Sequence, residues 1–305
     1  MRAELAELLD HRGTAAVVAS AYELGLLESL GNPAPAVEHA RRLQLRVDAT
    51  RLLIEALIAL GMAEEREGDV GLPERAGTLW GHLPAFVRTG ERFALMDGTV
   101  DERAAAYKDV VPALGSLFEY AARKLAVELQ PPGSILDVGA GSGVWSLAMC
   151  ERSSITRVTA VDLPDVLPAF LARATELGLG DRVATIGGDY KAVELPGRSF
   201  DRVVLANVLH LETPREARAL IAHVAPAIRS GGELVVVDAL AEGEPLAARS
   251  VSLYAIHLAM RTASGRVHPR AEIERWCQEA GLREGKLVTP RVVPRLFAGL
   301  VHRAP

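Results

Sequence analysis

The sequence predicts an α/β protein, a largely parallel sheet with helices on both faces, carried behind a mostly helical, winged-helix-like first domain. Three observations predict it. From about residue 131 apolar strand-like runs alternate with helix-like runs, whereas the first hundred residues are helix-rich without that alternation. A glycine turn, Gly139-Ala140-Gly141-Ser142-Gly143, stands between the first of those strands and its helix.

With 305 residues, 49% of them hydrophobic and only 5% aromatic, the chain can build two mostly aliphatic cores. Its net charge of −5 gives no overall positive field, so no nucleic acid and no membrane surface is expected as partner. Cys150 and Cys277 lie far apart and outside any metal-ligand spacing, which suits a reducing compartment, and no metal is expected. The amphipathic start "MRAELAELLDHRG" lacks the features of a signal peptide, and no apolar run approaches the roughly 20 residues of a membrane span. A cytoplasmic protein is expected.

In the first domain, residues 1–98, "AAVVASAYELGLLESLG" reads as a helix ended by Gly31, and "NPAPAVEHARRLQL" as a turn and a short helix. "VDATRLLIEALIALG" is a third helix, with Asp48 as N-cap and Gly61 as its stop. Two short strands around Glu67-Gly68-Asp69 complete a helix, helix, helix and wing order. The third helix presents Arg51, Glu55 and aliphatic residues rather than several base-reading side chains, so packing or dimerisation is favoured over DNA binding.

The second domain, residues 99–305, begins with connecting helices over 99–130, broken near Pro112. "SILDVGAGSGVWSLAMC" is then strand, glycine turn and helix, "ITRVTAVDLPDVLPAFLARATELGL" strand, acidic turn and helix, and "DRVATIGGDY" a strand ending in an acidic turn. "FDRVVLANVLHLETPREARALIAHVAPAI" is strand, loop and helix, "GGELVVVDAL" a strand, "HPRAEIERWCQEAGL" a helix, and "REGKLVTPRVVPRLFAGLVHR" a pair of strands. Ligands of such sheets sit beyond the carboxyl ends of the strands.

The glycine turn exposes bare backbone and a helix N-terminus to a ligand. Its third glycine comes one residue early for a dinucleotide fingerprint, and Asp137 ends the strand directly before it. Asp162, 21 residues beyond Gly141, ends the next strand, where a carboxylate can accept from both ribose hydroxyls. Asp189, after the third strand, is placed for an adenine amino group, with Tyr190 beside the ring.

Three strand-end acids behind a glycine turn resemble the Rossmann-like sheet of class I S-adenosylmethionine-dependent methyltransferases, over Pro131 to Pro305. "VDLPDV" and "GGDY", behind a winged-helix-like domain, resemble the small-molecule O-methyltransferase family of plant phenolics and bacterial natural products. The resemblance implies S-adenosylmethionine as cofactor, S-adenosylhomocysteine as product, a small-molecule acceptor, and a homodimer formed through an N-terminal domain that also caps the pocket. It implies Gly139, Gly141 and Gly143 around the methionine part, Asp162 at the ribose, Asp189 with Tyr190 at the adenine, and Asp137, Leu163 and Asn207 as further cofactor contacts.

Methyl transfer to oxygen needs alignment and a deprotonated acceptor, and a neutral imidazole is a suitable base for a phenol. The resemblance places that base at His210, directly after the fourth strand, and its orienting acid at Asp238, ending the fifth. The family commonly has Glu at the second place, so the shorter Asp is expected to need a small shift or a bridging water. Leu211 replaces the family's Asp after the histidine, Thr213 stands where a Trp is expected nearby, and "GRVHP" lacks a second orienting acid. Tyr254, His257 and Met260 on a late helix, with Phe93, Met96, Tyr107 and Phe118 near the domain junction, are candidates for the substrate pocket or for packing. His268, before a proline, reads as a helix-start residue. Hydroxyl methylation is the leading reading; N- or C-methylation, or a non-methylating reaction at the same site, is the alternative, and a ligand-sensing DNA-binding regulator the remote one.

Overall fold

Helical periodicity and turn chemistry shape the first unit, Met1–Gly81, of the computed structural model, which describes residues 2–74, 78–240, 245–283, 285–289 and 297–305. Its elements are α1 (Arg2–Glu23), α2 (Leu26–Ser29), α3 (Ala36–Arg42), α4 (Val47–Ala59), β1 (Glu64–Arg66) and β2 (Asp69–Gly71). The expected single helix through Gly31 is interrupted at Gly25, whose φ of 71° is left-handed. Asp48 is not the cap of α4. Arg46 takes that place, and Asp48 lies in the first turn, paired with Arg46 at 2.7 Å. Gly61 does stop α4: its N–H donates to the Ile58 carbonyl while Met62 N–H reaches back to Leu57, the Schellman arrangement. Glu67 and Gly68, both at positive φ, form the two-residue turn that matches the twist of β1 and β2.

Ile54 and Leu57 of α4 bury against Ala21, Leu26, Leu30 and Val70. His39, fully buried, bonds to Ser29 Oγ at 2.7 Å and to the Val70 carbonyl at 3.0 Å, tying α3 to α2 and β2.

The second unit, His82–Pro305, starts earlier than residue 99. Residues 93–96 belong to it because the Phe93 and Met96 N–H groups donate to the carbonyls of Met260 and Arg261 at 2.9 and 2.8 Å. Helix α5 (Leu79–Thr89) spans the boundary. The expected break at Pro112 is absent: α6 (Val100–Glu128) is one helix of 29 residues, opened by a Thr99/Glu102 capping box. Its buried face runs on through Val111, Gly115, Ala122, Leu125 and Ala126, so packing continues past the proline.

Among the described residues seven strands make the sheet: β3 (Ser134–Val138), β4 (Arg157–Asp162), β5 (Val183–Gly187), β6 (Phe200–Ala206), β7 (Ile228–Ala239), β8 (Lys286–Val288) and β9 (Phe297–Arg303). The spatial order is β5-β4-β3-β6-β7-β9-β8. The first five pair in parallel, and β9 runs antiparallel to both β7 and β8. The residues between β8 and β9 lie mostly outside the described residues. Helices α7 (Val144–Cys150), α8 (Leu167–Glu176), α9 (Pro214–Val224), α10 (Pro245–Ala259) and α11 (Arg270–Glu279) complete the unit.

Period-two alternation divides the strands between two cores. Ile135, Val204, Val235 and Val237 pack with α6, α7 and α8 on one face, and Leu136, Leu205, Leu234 and Val236 pack with α9 and α11 on the other. Chain order reverses beside β3, so the crevice beyond the carboxyl ends of β3 and β6 is the place for a ligand. Among the described residues no helix is long and apolar enough to cross a membrane.

Candidate active site

That crevice is a cavity lined by the glycine turn, by strand ends and by one face of α6. Gly139 and Gly143 both have positive φ, and neither has room for a side chain. A β-carbon at Gly139 would fall 2.6 Å from Val208, and one at Gly143 would enter the Phe170 ring. The turn is pinned from the strands: Gly139 and Ala140 N–H share the Val161 carbonyl, and Gly141 N–H donates to Asp162 Oδ2 at 2.7 Å.

Gly139, Gly141, Asp162, Leu163, Tyr190 and Asn207, all candidates from the sequence, line this cavity. Asp162 accepts two backbone N–H groups, from Gly141 and Leu163, one on each oxygen, which leaves each oxygen a lone pair for a hydroxyl. Burial raises its carboxyl pKa. Three other candidates stand behind the lining. Asp137 is fully buried with Ser146 Oγ donating to it, and burial pushes its carboxyl up to about 7. Gly143 packs on Phe170. Asp189 is held by Arg103 at 2.7 Å and by the Lys191 N–H at 3.1 Å.

Arg103 is the residue sequence reasoning missed. Arg103, Tyr107, Val111, Leu114, Gly115 and Phe118 form one stripe of α6 along the cavity. An arginine inside a stripe that is otherwise apolar or aromatic was the available signal. Its guanidinium lies 5.6 Å from the centre of the Tyr190 ring while it holds Asp189. Two buried polar atoms of the lining have no partner among the described residues: Trp145 Nε1, a donor, and Asn207 Oδ1, an acceptor. Asn207 also sits at φ 58°, a left-handed conformation held by its N–H bond to the Val237 carbonyl.

Beside the cavity, His210 lies in the short turn Leu209–Leu211 that follows β6. Its Nδ1 is 2.7 Å from Asp238 Oδ1, and its backbone N–H donates to Asp238 Oδ2 at 3.2 Å. The contact is direct, without the shift or bridging water expected for the shorter acid, because β7 runs to Ala239 and carries the carboxylate under the turn. A carboxylate only accepts, so in the neutral imidazole Nδ1 is the nitrogen that carries the proton and Nε2 is left as an acceptor. That acceptor faces the Tyr254 hydroxyl at 2.9 Å. His210 is 4% exposed, and its neighbour Leu211, rather than His210 itself, lines the cavity.

The turn carrying His210 is fixed by groups distant in sequence. His268 Nε2 lies 2.9 Å from the Leu209 carbonyl and 3.2 Å from that of Glu212, and Arg266 N–H donates to the His210 carbonyl. Buried Glu212 accepts from Tyr190 Oη and Lys191 Nζ at 2.9 and 2.8 Å. Thr213 starts α9 through a capping box with Glu216, which its Thr-x-x-Glu spacing announces.

Of the substrate-pocket candidates, Tyr107 and Phe118 line the cavity. Phe118 stacks on Trp145, and Phe297 meets both edge-on and also meets Tyr254. His257 lies against the Tyr254 ring, its pKa lowered to about 4 by burial and the nearby Arg261. Tyr254, His257, Phe93, Met96 and Met260 are not among the residues that line the cavity. Phe93 is exposed against His82, Met96 takes Arg261 on its sulfur, and Met260 is fully buried.

Residues 99–283 match the family model described as an O-methyltransferase domain. The 3-hydroxy-5-methyl-1-naphthoate 3-O-methyltransferase of Streptomyces sahachiroi is 27% identical over 298 residues, 88% of this chain and 86% of that protein. The tetracenomycin polyketide synthesis 8-O-methyl transferase TcmO of Streptomyces glaucescens is 26% identical, covering 86% of each. Among solved structures, human N-acetylserotonin methyltransferase in complex with SAM superposes with a TM-score of 0.61 at 17% identity, over 99% of this chain and 97% of that one.

Proposed function

The chain belongs to the O-methyltransferase family, and from that membership we propose that it methylates a hydroxyl of an aromatic natural product, with His210 as general base and Asp238 orienting it. The protein is an S-adenosylmethionine-dependent methyltransferase of the natural-product type. The observation that carries the finer reading is the 2.7 Å contact between His210 Nδ1 and Asp238 Oδ1, which orients Nε2 as a proton acceptor.

The residues present fit the cofactor. Gly139 leaves backbone bare where a β-carbon would intrude, Asp162 keeps lone pairs for hydroxyls, and unpartnered Asn207 Oδ1 suits an ammonium group. When bound, the cofactor supplies an electrophilic methyl group on a sulfonium. Gly139, Gly141, Asp162, Leu163, Tyr190 and Asn207 would hold it, and Asp189 would act through Arg103 and Tyr190. His210 withdraws the acceptor's proton, and Asp238 stabilises the resulting imidazolium.

The acceptor proposed is a fused-ring phenol. The names of the two Streptomyces relatives point there, and the aromatic lining of Phe118 and Trp145 supports it. Residues 1–81 are proposed to serve dimerisation: Tyr22 and Leu52 leave 79% and 68% of their surfaces exposed on that unit, which equilibrium sedimentation tests.

The function is tested by incubating the protein with methyl-labelled S-adenosylmethionine and a panel of hydroxynaphthoates. Label is expected on oxygen, and His210→Ala is expected to lose about 10²–10⁴ in turnover with cofactor affinity retained. Full activity in that variant removes His210 from the reaction.

A further inference from the structure

We propose that Tyr254 is a catalytic residue, the proton relay between the acceptor hydroxyl and His210, in a chain Tyr254–His210–Asp238. This rests on the reading of His210 as base. Both ring nitrogens of His210 are taken, Nδ1 by Asp238 at 2.7 Å and Nε2 by the Tyr254 hydroxyl at 2.9 Å. His210 is also almost wholly buried, so an acceptor reaches Nε2 only by displacing that phenol or by working through it. Tyr254 is half-buried, and its oxygen keeps a lone pair after donating its proton to Nε2.

The ring is held for such a role rather than left to swing. It meets the His210 ring edge-on at 5.3 Å and the Phe297 ring at 5.9 Å, with His257 against it at 6.1 Å. Phe297 in turn packs on Phe118 and Trp145, which line the cavity, so a continuous run of ring contacts joins the lining through Phe297 and Tyr254 to the base. Burial and the charge of Asp238 raise the Tyr254 pKa, which keeps the phenol protonated and a donor.

The step balances without a further reagent. The acceptor O–H bond breaks as its proton passes to Tyr254 Oη, while the Tyr254 proton passes to Nε2, giving imidazolium and a neutral phenol again. The electron pair freed on the acceptor oxygen forms the new oxygen–carbon bond, and the carbon–sulfur pair departs on sulfur.

The test is Tyr254→Phe, which keeps the ring and removes the relay. In the ¹⁵N spectrum of histidine-labelled protein without cofactor, the His210 Nε2 signal is expected to move toward that of an unbonded lone pair. Single-turnover methylation of 2-naphthol, whose proton must be removed at neutral pH, is expected to slow by about 100-fold. Methylation of a dinitrophenol, already ionised, is expected to slow less than about tenfold, because no relay is then needed. Unchanged or faster methylation of 2-naphthol in the variant overturns the relay and makes Tyr254 a gate; equal losses on both phenols overturn it in favour of a structural role. His210→Ala separates the two readings. If it is inactive while Tyr254→Phe is active, only the relay fails; if it is fully active, the base reading fails with it. Should neither phenol be turned over, an unmoved Nε2 signal overturns the relay and a moved one supports it.

Discussion

Gly115 of α6 passes so close to Ser142 of the glycine turn that a β-carbon added to it would fall 2.7 Å from the Ser142 hydroxyl oxygen and 3.1 Å from its β-carbon. The helix that carries Arg103 and Tyr107 is seated on the glycine turn at this point. Gly115→Ala adds helix propensity worth up to about 1 kcal/mol but forces α6 or the turn to move. The expected outcome is a Tm changed by only a few degrees with S-adenosylmethionine affinity about tenfold weaker, read by calorimetry.

Asp238 accepts three N–H groups, His210 Nδ1, His210 N and Ala239 N. Asp238→Asn keeps the shape but offers an N–H₂ group or one neutral oxygen where the imidazole needs a carboxylate. It is expected to lower kcat by about 10²–10⁴ and leave the KM for S-adenosylmethionine within about threefold. A change in KM alone would assign Asp238 to cofactor binding.

Asp137 supplies a pH prediction. Burial raises its folded-state pKa from an ordinary 3.8 to about 7, so the folded protein holds this proton more tightly than the unfolded chain. Its contribution is most favourable below pH 4, declines as pH rises from 4 to 7, and is constant above. Asp137→Asn removes the ionisation and keeps an oxygen for Ser146. The Tm of the variant minus that of the native protein is therefore expected to be more positive at pH 8.5 than at pH 6, and a pH-independent difference would contradict the assignment.

Asn207 combines a left-handed φ with an unpartnered amide oxygen at the cavity. Asn207→Gly keeps the backbone comfortable and removes the oxygen, and is expected to weaken cofactor binding about tenfold with little change in Tm. Asn207→Val adds backbone strain of about 1–3 kcal/mol and is expected to lower Tm as well. Equal cofactor affinity in native protein and Asn207→Gly would leave the oxygen without a ligand role.

The parts of the site that strand-end logic governs were legible in the sequence. A glycine turn after β3, acids at the ends of β4 and β7 and a histidine after β6 must meet on one rim, and Asp162, His210 and Asp238 do. What decided the rest was the rotation of helices. "SVSLYAIHLAMRTA" is apolar around most of its circumference, so its periodicity does not say that Tyr254 turns toward His210, 44 residues away. The same holds for Arg103, which meets Asp189 across 86 residues, and for His268, which reaches back 59 residues to the Leu209 carbonyl. Pro112 misled for a related reason: local preference favoured a break, and the packed face of α6 overrode it.

Phe297, the residue that joins Tyr254 to the cavity lining, opens β9 and enters the sheet antiparallel, beside β7. The glycine turn and the strands β3, β4, β5 and β6 lie more than ninety residues earlier in the chain. During synthesis, which proceeds at about 5–20 residues per second, the glycine turn and these strands can therefore form while the aromatic joint is still inside the ribosome. A nascent chain stopped before Phe297 would carry the glycine turn and the strand-end acids without the ring that joins Tyr254 to the cavity lining.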